Sequence, residues 1–202
     1  MKILKQNELD EAAKILRQGK VMSFPTETVF GLGVIYDDKK AYDELVKVKR
    51  RPPSKPFTLM LADKEDVEKF AQLNKTSKII VEKFMPGQIT MIAMAQPGLP
   101  EWCVSDTGYI GIRIADYELV RNLIRKTGKP LLVPSANKSG ENPALNVNQV
   151  IEAFDSEIDA VVEGETVSNT PSTIVLIEKG HVNIVREGAI TIGEIKRALS
   201  EE

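Results

Sequence analysis

Basic side chains are concentrated in one short stretch of the chain. Lys47, Lys49, Arg50 and Arg51 fall within five residues, and Lys55 lies just beyond them. An arginine binds phosphate through a planar fork and a lysine acts as a point charge, so this stretch could hold a polyphosphate. A solvated helix end is the alternative, because the helix dipole favours cations at a C-terminus. The pattern leaves both interpretations open.

A second polar segment covers residues 25–33, with the sequence PTETVFGLG, and follows a short apolar strand. It brings two hydroxyls and a carboxylate close to Gly31 and Gly33. Glycine lets the backbone approach a ligand closely, so a binding segment is one interpretation. An ordinary strand-to-helix turn is the other, because hydroxyl residues and glycines populate most turns.

The apolar residues of segment 109–114 alternate with other residue types. A period of two places Ile110, Ile112 and Ile114 on one face of a strand and Tyr109, Gly111 and Arg113 on the other. A guanidinium beside a glycine leaves room for a carboxylate or phosphate against the sheet. A solvent-exposed sheet face remains the alternative.

Weaker signals of the same kind lie further along the chain. Residues 134–137, with the sequence PSAN, follow a short apolar strand, and Ser135 or Asn137 could donate to a phosphate there. A turn in which these side chains bond to their own backbone would explain them equally well. Ser172 at a strand start and Arg186 at a strand end are similar candidates.

Hydrophobic periodicity and capping residues predict the elements that carry these segments. Predicted helices cover 8–18 with Asn7 as cap, 40–49, 63–73 with Asp63 as cap, 76–85 and 116–127 with Asp116 as cap; two more begin at Asn146 and Thr191. Predicted strands cover 21–24, 57–62, 88–95, 109–114, 130–133 and 159–162, and a hairpin joins 172–177 to 181–185. This mixture predicts an α/β fold in one domain, residues 1–202, with helices packed on a mixed sheet.

Composition narrows the function classes. The 202 residues include 28% charged and 42% hydrophobic residues, which is ordinary for a globular protein, and the apolar runs are too short to cross a bilayer. No secretory signal pattern opens the chain, so we expect a cytoplasmic protein. Cys103 is alone and is expected to be inert, a lone His181 cannot build a catalytic triad, and no protein-bound metal is predicted. The net charge of −2 leaves only a local basic patch for RNA.

Taken together and in this order, the segments resemble the YrdC family of threonylcarbamoyl-AMP synthases. The matching pieces are residues 25–33, 49–52, 86–87 with Thr90, 111–113, 134–137, 172–173 and Arg186, which span nearly the whole chain. The resemblance implies a twisted mixed sheet with an open, concave, basic cavity shared by ATP and threonine. Phe30 stands where the family usually has tyrosine, and Met60 stands where some relatives have histidine.

Residue roles follow from the resemblance position by position. The implied threonine contacts are Thr28, Arg113, Val133 through its backbone, and Ser172. The implied ATP contacts are Lys49, Arg51, Lys55, Tyr109, Ser135, Asn137, Ala144 through its backbone, and Arg186. Lys49 and Arg51 are also the implied catalytic pair, which would stabilise departing pyrophosphate together with the Mg²⁺ that accompanies ATP.

The implied reaction joins L-threonine, bicarbonate and ATP into threonylcarbamoyl-AMP and pyrophosphate, and a partner transferase then passes the product to tRNA. A binding module that holds double-stranded RNA or tRNA without adenylate chemistry is the alternative function. A paralogue of the YciO kind is a further one, because residues 57–60 look like that branch.

Overall fold

The computed structural model describes residues 1–52, 56–168 and 170–201. The described strands form one mixed sheet, which confirms the predicted α/β class. They are β1 (Lys2–Leu4), β2 (Met22–Phe24), β3 (Gly31–Ile35), β4 (Leu59–Leu61), β5 (Ile89–Met94), β6 (Tyr109–Ile114), β7 (Leu131–Leu132), β8 (Ala160–Val162), β9 (Thr173–Glu178) and β10 (His181–Arg186). Their order in the sheet is β1-β8-β2-β3-β7-β4-β6-β5-β9-β10. Parallel neighbours are β1 with β8, β8 with β2, β4 with β6, and β5 with β9.

Helices cover both faces of this sheet. The α-helices in the described ranges are α1 (Leu9–Arg17), α2 (Lys39–Lys49), α3 (Lys75–Phe84), α4 (Glu118–Thr127), α5 (Val147–Phe154) and α6 (Ile192–Ser200), and short 3₁₀ helices cover Lys64–Lys69 and Glu101–Cys103. Apolar side chains of α1 and α4 pack in one core cluster, and those of α2, α3, α5 and α6 pack in another. The alternation of β6 separates the two: its three isoleucines belong to the second cluster, as predicted, and Arg113 faces the opposite side.

Three predicted helix caps are wrong. Helix α1 begins after Glu8 instead of Asn7, and the Glu8 carboxylate accepts from the Lys5 amide at 2.7 Å. Asp63 makes no capping hydrogen bond; it pairs with Arg125 at 2.5 Å and precedes a 3₁₀ helix of six residues. Tyr117 occupies the cap position of α4 that was predicted for Asp116. At Asp63, an ion pair formed in the tertiary structure replaced the local capping bond.

Other local signals are confirmed. Thr191 and Glu194 form a reciprocal capping box at α6, and the Asn146 side chain accepts from the Gln149 amide at α5. The hairpin of β9 and β10 turns through Lys179 and Gly180, whose φ angles are +50° and +81°.

Strand β3 begins within the glycine-rich segment, for which a strand-to-helix turn was one of two interpretations. That interpretation is wrong, because the chain continues into a strand that pairs antiparallel to β2. Its glycines are required by packing: a Cβ on Gly33 would lie 2.4 Å from the buried ring of Phe24. The turn is therefore confined to residues 25–30, between the two strands. Strand β1 was also not predicted, because it has only three residues and Ile3 is half exposed.

Candidate active site

A cavity of about 560 Å³ opens where the β2–β3 connection meets the central strands. All four predicted threonine contacts line it, namely Thr28, Arg113, Val133 and Ser172. Four of the predicted ATP contacts also line it, namely Arg51, Ser135, Asn137 and Arg186. Among the described lining residues, three are arginines and one, Glu141, is a carboxylate. The wall therefore carries an excess of positive charge where these residues converge.

The other predicted site residues lie elsewhere. Tyr109 begins β6, four residues before Arg113, and lies outside the cavity wall. Ala144 is buried behind the wall; its amide donates to the Ala136 oxygen at 2.8 Å and its oxygen accepts from the Phe30 amide at 2.9 Å. Lys55 lies outside the residues that the structure describes.

Lys49 is buried behind the wall and is 3% exposed. Its Nζ donates to the carbonyl oxygens of Ser135 at 2.6 Å and Asn137 at 2.7 Å, and to Oδ1 of Asn137 at 2.6 Å. Its own carbonyl oxygen accepts from the Ser139 amide at 3.0 Å. The side chain and the backbone of Lys49 thus both bind the loop of residues 135–139. Its ammonium protons are directed to the loop, and the loop presents Ser135 and Asn137 to the cavity.

The charge state of Lys49 depends on opposing influences. Burial, with a smaller contribution from Arg51, lowers the pKa of Lys49 to about 8. The three short oxygen contacts act in the other direction, because they stabilise the charged form. Burial likewise lowers the pKa of Arg51, whose guanidinium lies over the Phe57 ring at 5.2 Å.

The amino-acid side of the cavity contains a directed hydrogen-bond chain. The Thr26 hydroxyl donates to the Val29 oxygen at 2.7 Å, and its oxygen accepts from the amides of Thr28 at 3.2 Å and Val29 at 3.3 Å. The Thr28 hydroxyl contacts that of Thr26 at 3.1 Å, and Nη2 of Arg113 donates to the Thr28 hydroxyl at 3.1 Å. The Thr28 oxygen therefore has a lone pair left for a ligand. It is an acceptor for an N–H group.

Arg186 reaches the cavity through an irregularity in β10. Ile184 pairs with Val175 and Arg186 pairs with Ile174, so the strand carries a bulge at Val185. In a regular strand Ile184 and Arg186 would share a face, and Ile184 packs on the larger core cluster. The bulge turns Arg186 to the cavity face instead. There its Nη2 donates to the Ser172 oxygen at 2.7 Å, and Ser172 contacts the Thr90 hydroxyl at 3.2 Å.

Some cavity residues were not among the predicted site residues. Thr58 and Thr90 line the wall from the sheet, and Asn142 lines it from the loop after Asn137. Period-two alternation could have indicated Thr58, which lies two residues before Met60 in the same strand segment. Glu27, which pairs with Arg113 at 2.7 Å, was noticed only as part of a polar turn.

Several negative findings concern the described residues only. They contain no group of three or more His, Cys, Asp or Glu side chains placed to hold a metal ion. No helix among them is long and apolar enough to cross a bilayer. Cys103 is buried, and burial raises its pKa to about 12, which fits the expected lack of reactivity. His181 lies on the exposed edge strand β10, away from the cavity wall.

An α/β fold with three arginines in the wall of one cavity is typical of proteins that bind an anionic ligand. Sequence comparison identifies the family. The Sua5/YciO/YrdC family model, described as telomere recombination, matches residues 14–188. The chain therefore belongs to this family. A relative from Methanocaldococcus jannaschii, named putative threonylcarbamoyl-AMP synthase, is 34% identical over 98% of this chain and 96% of its own length. One from Psychromonas ingrahamii, named threonylcarbamoyl-AMP synthase, is 35% identical over 85% of this chain and 93% of its own length.

Solved structures share the fold. Pyrococcus abyssi Sua5, crystallised with L-threonine, superimposes with a TM-score of 0.94 at 26% identity, over 100% of this chain and 62% of its own. Escherichia coli YciO, at 20% identity, matches in fold with a TM-score of 0.88, over 96% of this chain and 98% of its own. The chain spans 56% of the length of the synthases from Pyrococcus abyssi and Bacillus subtilis.

Proposed function

We propose that this chain is a threonylcarbamoyl-AMP synthase, which makes threonylcarbamoyl-AMP and pyrophosphate from L-threonine, bicarbonate and ATP. The observation that carries the proposal is the convergence of Arg51, Arg113 and Arg186 on one cavity whose wall also holds hydroxyl groups. These arginines come from a loop, a central strand and an edge strand. Such a wall suits two anionic ligands, a carboxylate and a polyphosphate, placed side by side.

The amino acid would occupy the side of the cavity near β6. Arg113 would bind its carboxylate, and Ser172 would add a hydroxyl contact from the start of β9. The lone pair of Thr28 would accept an N–H bond from the amine. Val133 would contribute its backbone carbonyl, because its amide already donates to the Thr58 oxygen at 2.8 Å.

The nucleotide would lie against the other side. Arg51 and Arg186 would neutralise phosphate charge. The Ser135 hydroxyl donates to Oδ1 of Asn137 at 2.6 Å, and Nδ2 of Asn137 donates to the oxygens of Lys138 at 2.9 Å and Glu141 at 2.8 Å, so Ser135 and Asn137 would have to exchange one of these bonds in order to donate to phosphate. Lys49 would act mainly by holding that loop and by adding a positive charge behind it. Lys55 remains part of the proposed set, and the predicted contacts of Tyr109 and Ala144 remain predictions. Mg²⁺ would enter as part of the MgATP substrate.

The chemistry asks for positioning and charge neutralisation more than for a protein nucleophile. The threonine nitrogen attacks the carbon of bicarbonate and loses a proton, the bond from that carbon to its hydroxyl group breaks, and a carbamate forms with release of water. A carbamate oxygen then attacks the α-phosphorus of ATP, and the bond from that phosphorus to the bridging oxygen of pyrophosphate breaks. Guanidinium groups beside the polyphosphate would stabilise the charge that develops on the leaving group.

We further infer that a partner transferase passes the threonylcarbamoyl group to tRNA and that the reaction takes place in the cytoplasm. The reaction chemistry supports the first inference, because a mixed anhydride with AMP is an activated acyl donor. The need of the proposed reaction for ATP and tRNA supports the second, because both are present in the cytoplasm.

The test is pyrophosphate release from ATP by the purified protein, with threonine and bicarbonate each supplied or omitted. Release that requires both substrates supports the proposal, and release that requires neither refutes it. Arg113→Ala should abolish most of the threonine-dependent release. Arg197→Ala, which removes an exposed arginine from α6, serves as the matched control and should leave it unchanged. A YciO-like paralogue without this activity would show no threonine-dependent release.

A further inference from the structure

Glu27 is a buried carboxylate with no assigned part in the proposed reaction. Its side chain is 5% exposed, and it pairs with Nη2 of Arg113 at 2.7 Å. Arg113 belongs to the cavity wall, whereas Glu27 lies behind it. The Glu27 backbone is also anchored, because its oxygen accepts from the Ser168 amide at 2.9 Å. Glu27 can therefore act on a ligand only through the side chains that it holds.

Arg113 needs an anionic partner in order to stay where it lies. Its side chain is 9% exposed, and removing a guanidinium from water is costly unless a carboxylate compensates. A second cation is also near, since Arg113 contributes, after burial, to lowering the pKa of Arg186. Glu27 supplies the compensating charge, so that both guanidiniums can face one cavity.

The ion pair between Glu27 and Arg113 uses only one oxygen of the carboxylate and one nitrogen of the guanidinium. Oε2 of Glu27 and Nε of Arg113 are both buried without a hydrogen-bond partner among the described residues. A two-point pair would have used both oxygens and two nitrogens. The carboxylate instead holds one corner of the guanidinium, together with the Thr28 hydroxyl at 3.1 Å. Because Nη2 is bonded and Nε is buried, Nη1 is the donor of Arg113 that is left for another acceptor.

We propose that Glu27 is a positioning residue that fixes Nη2 of Arg113 and so turns the rest of the guanidinium toward the carboxylate of the amino-acid substrate. This inference deepens the proposed function and rests on it for the identity of the substrate. Its geometric part, the fixed orientation of Arg113, does not depend on turnover.

Steady-state kinetics provide the first test. Glu27→Gln keeps the size of the side chain and removes its charge, and Glu27→Asp keeps the charge. We expect Glu27→Gln to raise the KM for threonine about tenfold, with the KM for ATP and kcat changed by less than about twofold, and Glu27→Asp to recover part of the loss. Asp63→Asn, which removes the charge of the exposed Arg125 pair, is the matched control and should change none of these constants. Equal changes in both KM values would contradict a role through Arg113.

Nitrogen NMR of the arginine side chains provides the second test. The signals of Arg113, assigned by their loss in Arg113→Lys, should show a guanidinium with restricted rotation in the wild type and averaged signals in Glu27→Gln. Unchanged Arg113 signals in Glu27→Gln would overturn the positioning role, whether or not the wild type uses threonine. A wild type without threonine-dependent pyrophosphate release would overturn the proposed function alone. If Glu27→Gln does not fold, Glu27→Asp replaces it, because its shorter side chain holds Arg113 less closely. A KM for threonine and Arg113 signals that both match the wild type in Glu27→Asp would then overturn the positioning role.

Discussion

Replacing Lys49 by methionine should loosen the loop that presents Ser135 and Asn137 to the cavity. The substitution keeps a long side chain and removes the ammonium that joins α2 to this loop. Two of the three short oxygen contacts have substitutes: the Ser135 oxygen keeps the Asn137 amide at 3.0 Å, and Oδ1 of Asn137 keeps the Ser135 hydroxyl at 2.6 Å. The carbonyl oxygen of Asn137 has no other donor among the described residues.

The expected loss of stability follows from these contacts. Leaving one buried carbonyl oxygen without a donor costs about 1 to 3 kcal/mol, and the weakened contacts of the other two oxygens add to this. Removing a buried ammonium also relieves its own cost of burial, which offsets part of the loss. The addition and the offset act in opposite directions, so we expect Lys49→Met to lower the free energy of unfolding by about 1 to 3 kcal/mol.

Urea unfolding and calorimetric titration with ATP measure the two consequences. The control is Lys47→Met, two residues earlier on the same helix, where the lysine is exposed and pairs with Glu44 at 2.6 Å. A fully exposed pair of this kind contributes little to stability, so the control should unfold and bind ATP nearly as the wild type does. If Lys49→Met matches Lys47→Met in both measurements, Lys49 does not hold the loop.

Three further predictions concern the cavity and its support. Arg113→Ala should raise the KM for threonine more than that for ATP and Arg51→Ala should do the reverse; equal effects in initial-rate assays would refute the separate roles. Gly33→Ala should lower the free energy of unfolding by about 1 to 3 kcal/mol because its Cβ would overlap a buried ring, whereas Gly193→Ala in α6, with open space around it, should raise it by about 0.5 to 1 kcal/mol; thermal unfolding would show these opposite signs. Because burial, followed by Arg51, lowers the pKa of Lys49 to about 8, its positive charge is lost as the pH rises through that value, and calorimetry should find weaker ATP binding there; a constant affinity up to about pH 9.5 would contradict this.

Signals that act over a few residues predicted much of the fold. The bounds of β6 were predicted correctly because strict alternation is a property of the strand itself. The hairpin around Gly180 and the capping box of Thr191 are also local, since paired hairpin residues lie within twelve positions of each other and the capping-box partners lie three apart. Caps failed where a distant charge was available, as when Arg125 paired with Asp63 across 62 residues.

The sequence predicted which residues belong to the candidate site better than it predicted how their side chains are arranged. Eight of the twelve predicted residues line one cavity, and the order of short motifs along the chain was enough to select them. The direction in which each side chain acts was not predictable. Lys49 was expected to contact phosphate, yet its ammonium is held by oxygens 86 and 88 residues away. Glu27 has a comparable distant partner in Arg113.

By itself, the sequence determined most of the segments that form strands and helices and the polar residues that could bind an anion, because periodicity, capping and residue chemistry are encoded over short distances. Only the tertiary structure decided that Arg113 shares a cavity with Arg186, that a bulge turns Arg186 toward it, and that Lys49 holds a loop. These outcomes depend on strand order and on the burial of charge. Both arise from contacts between residues far apart in the chain, where no local pattern specifies the partner.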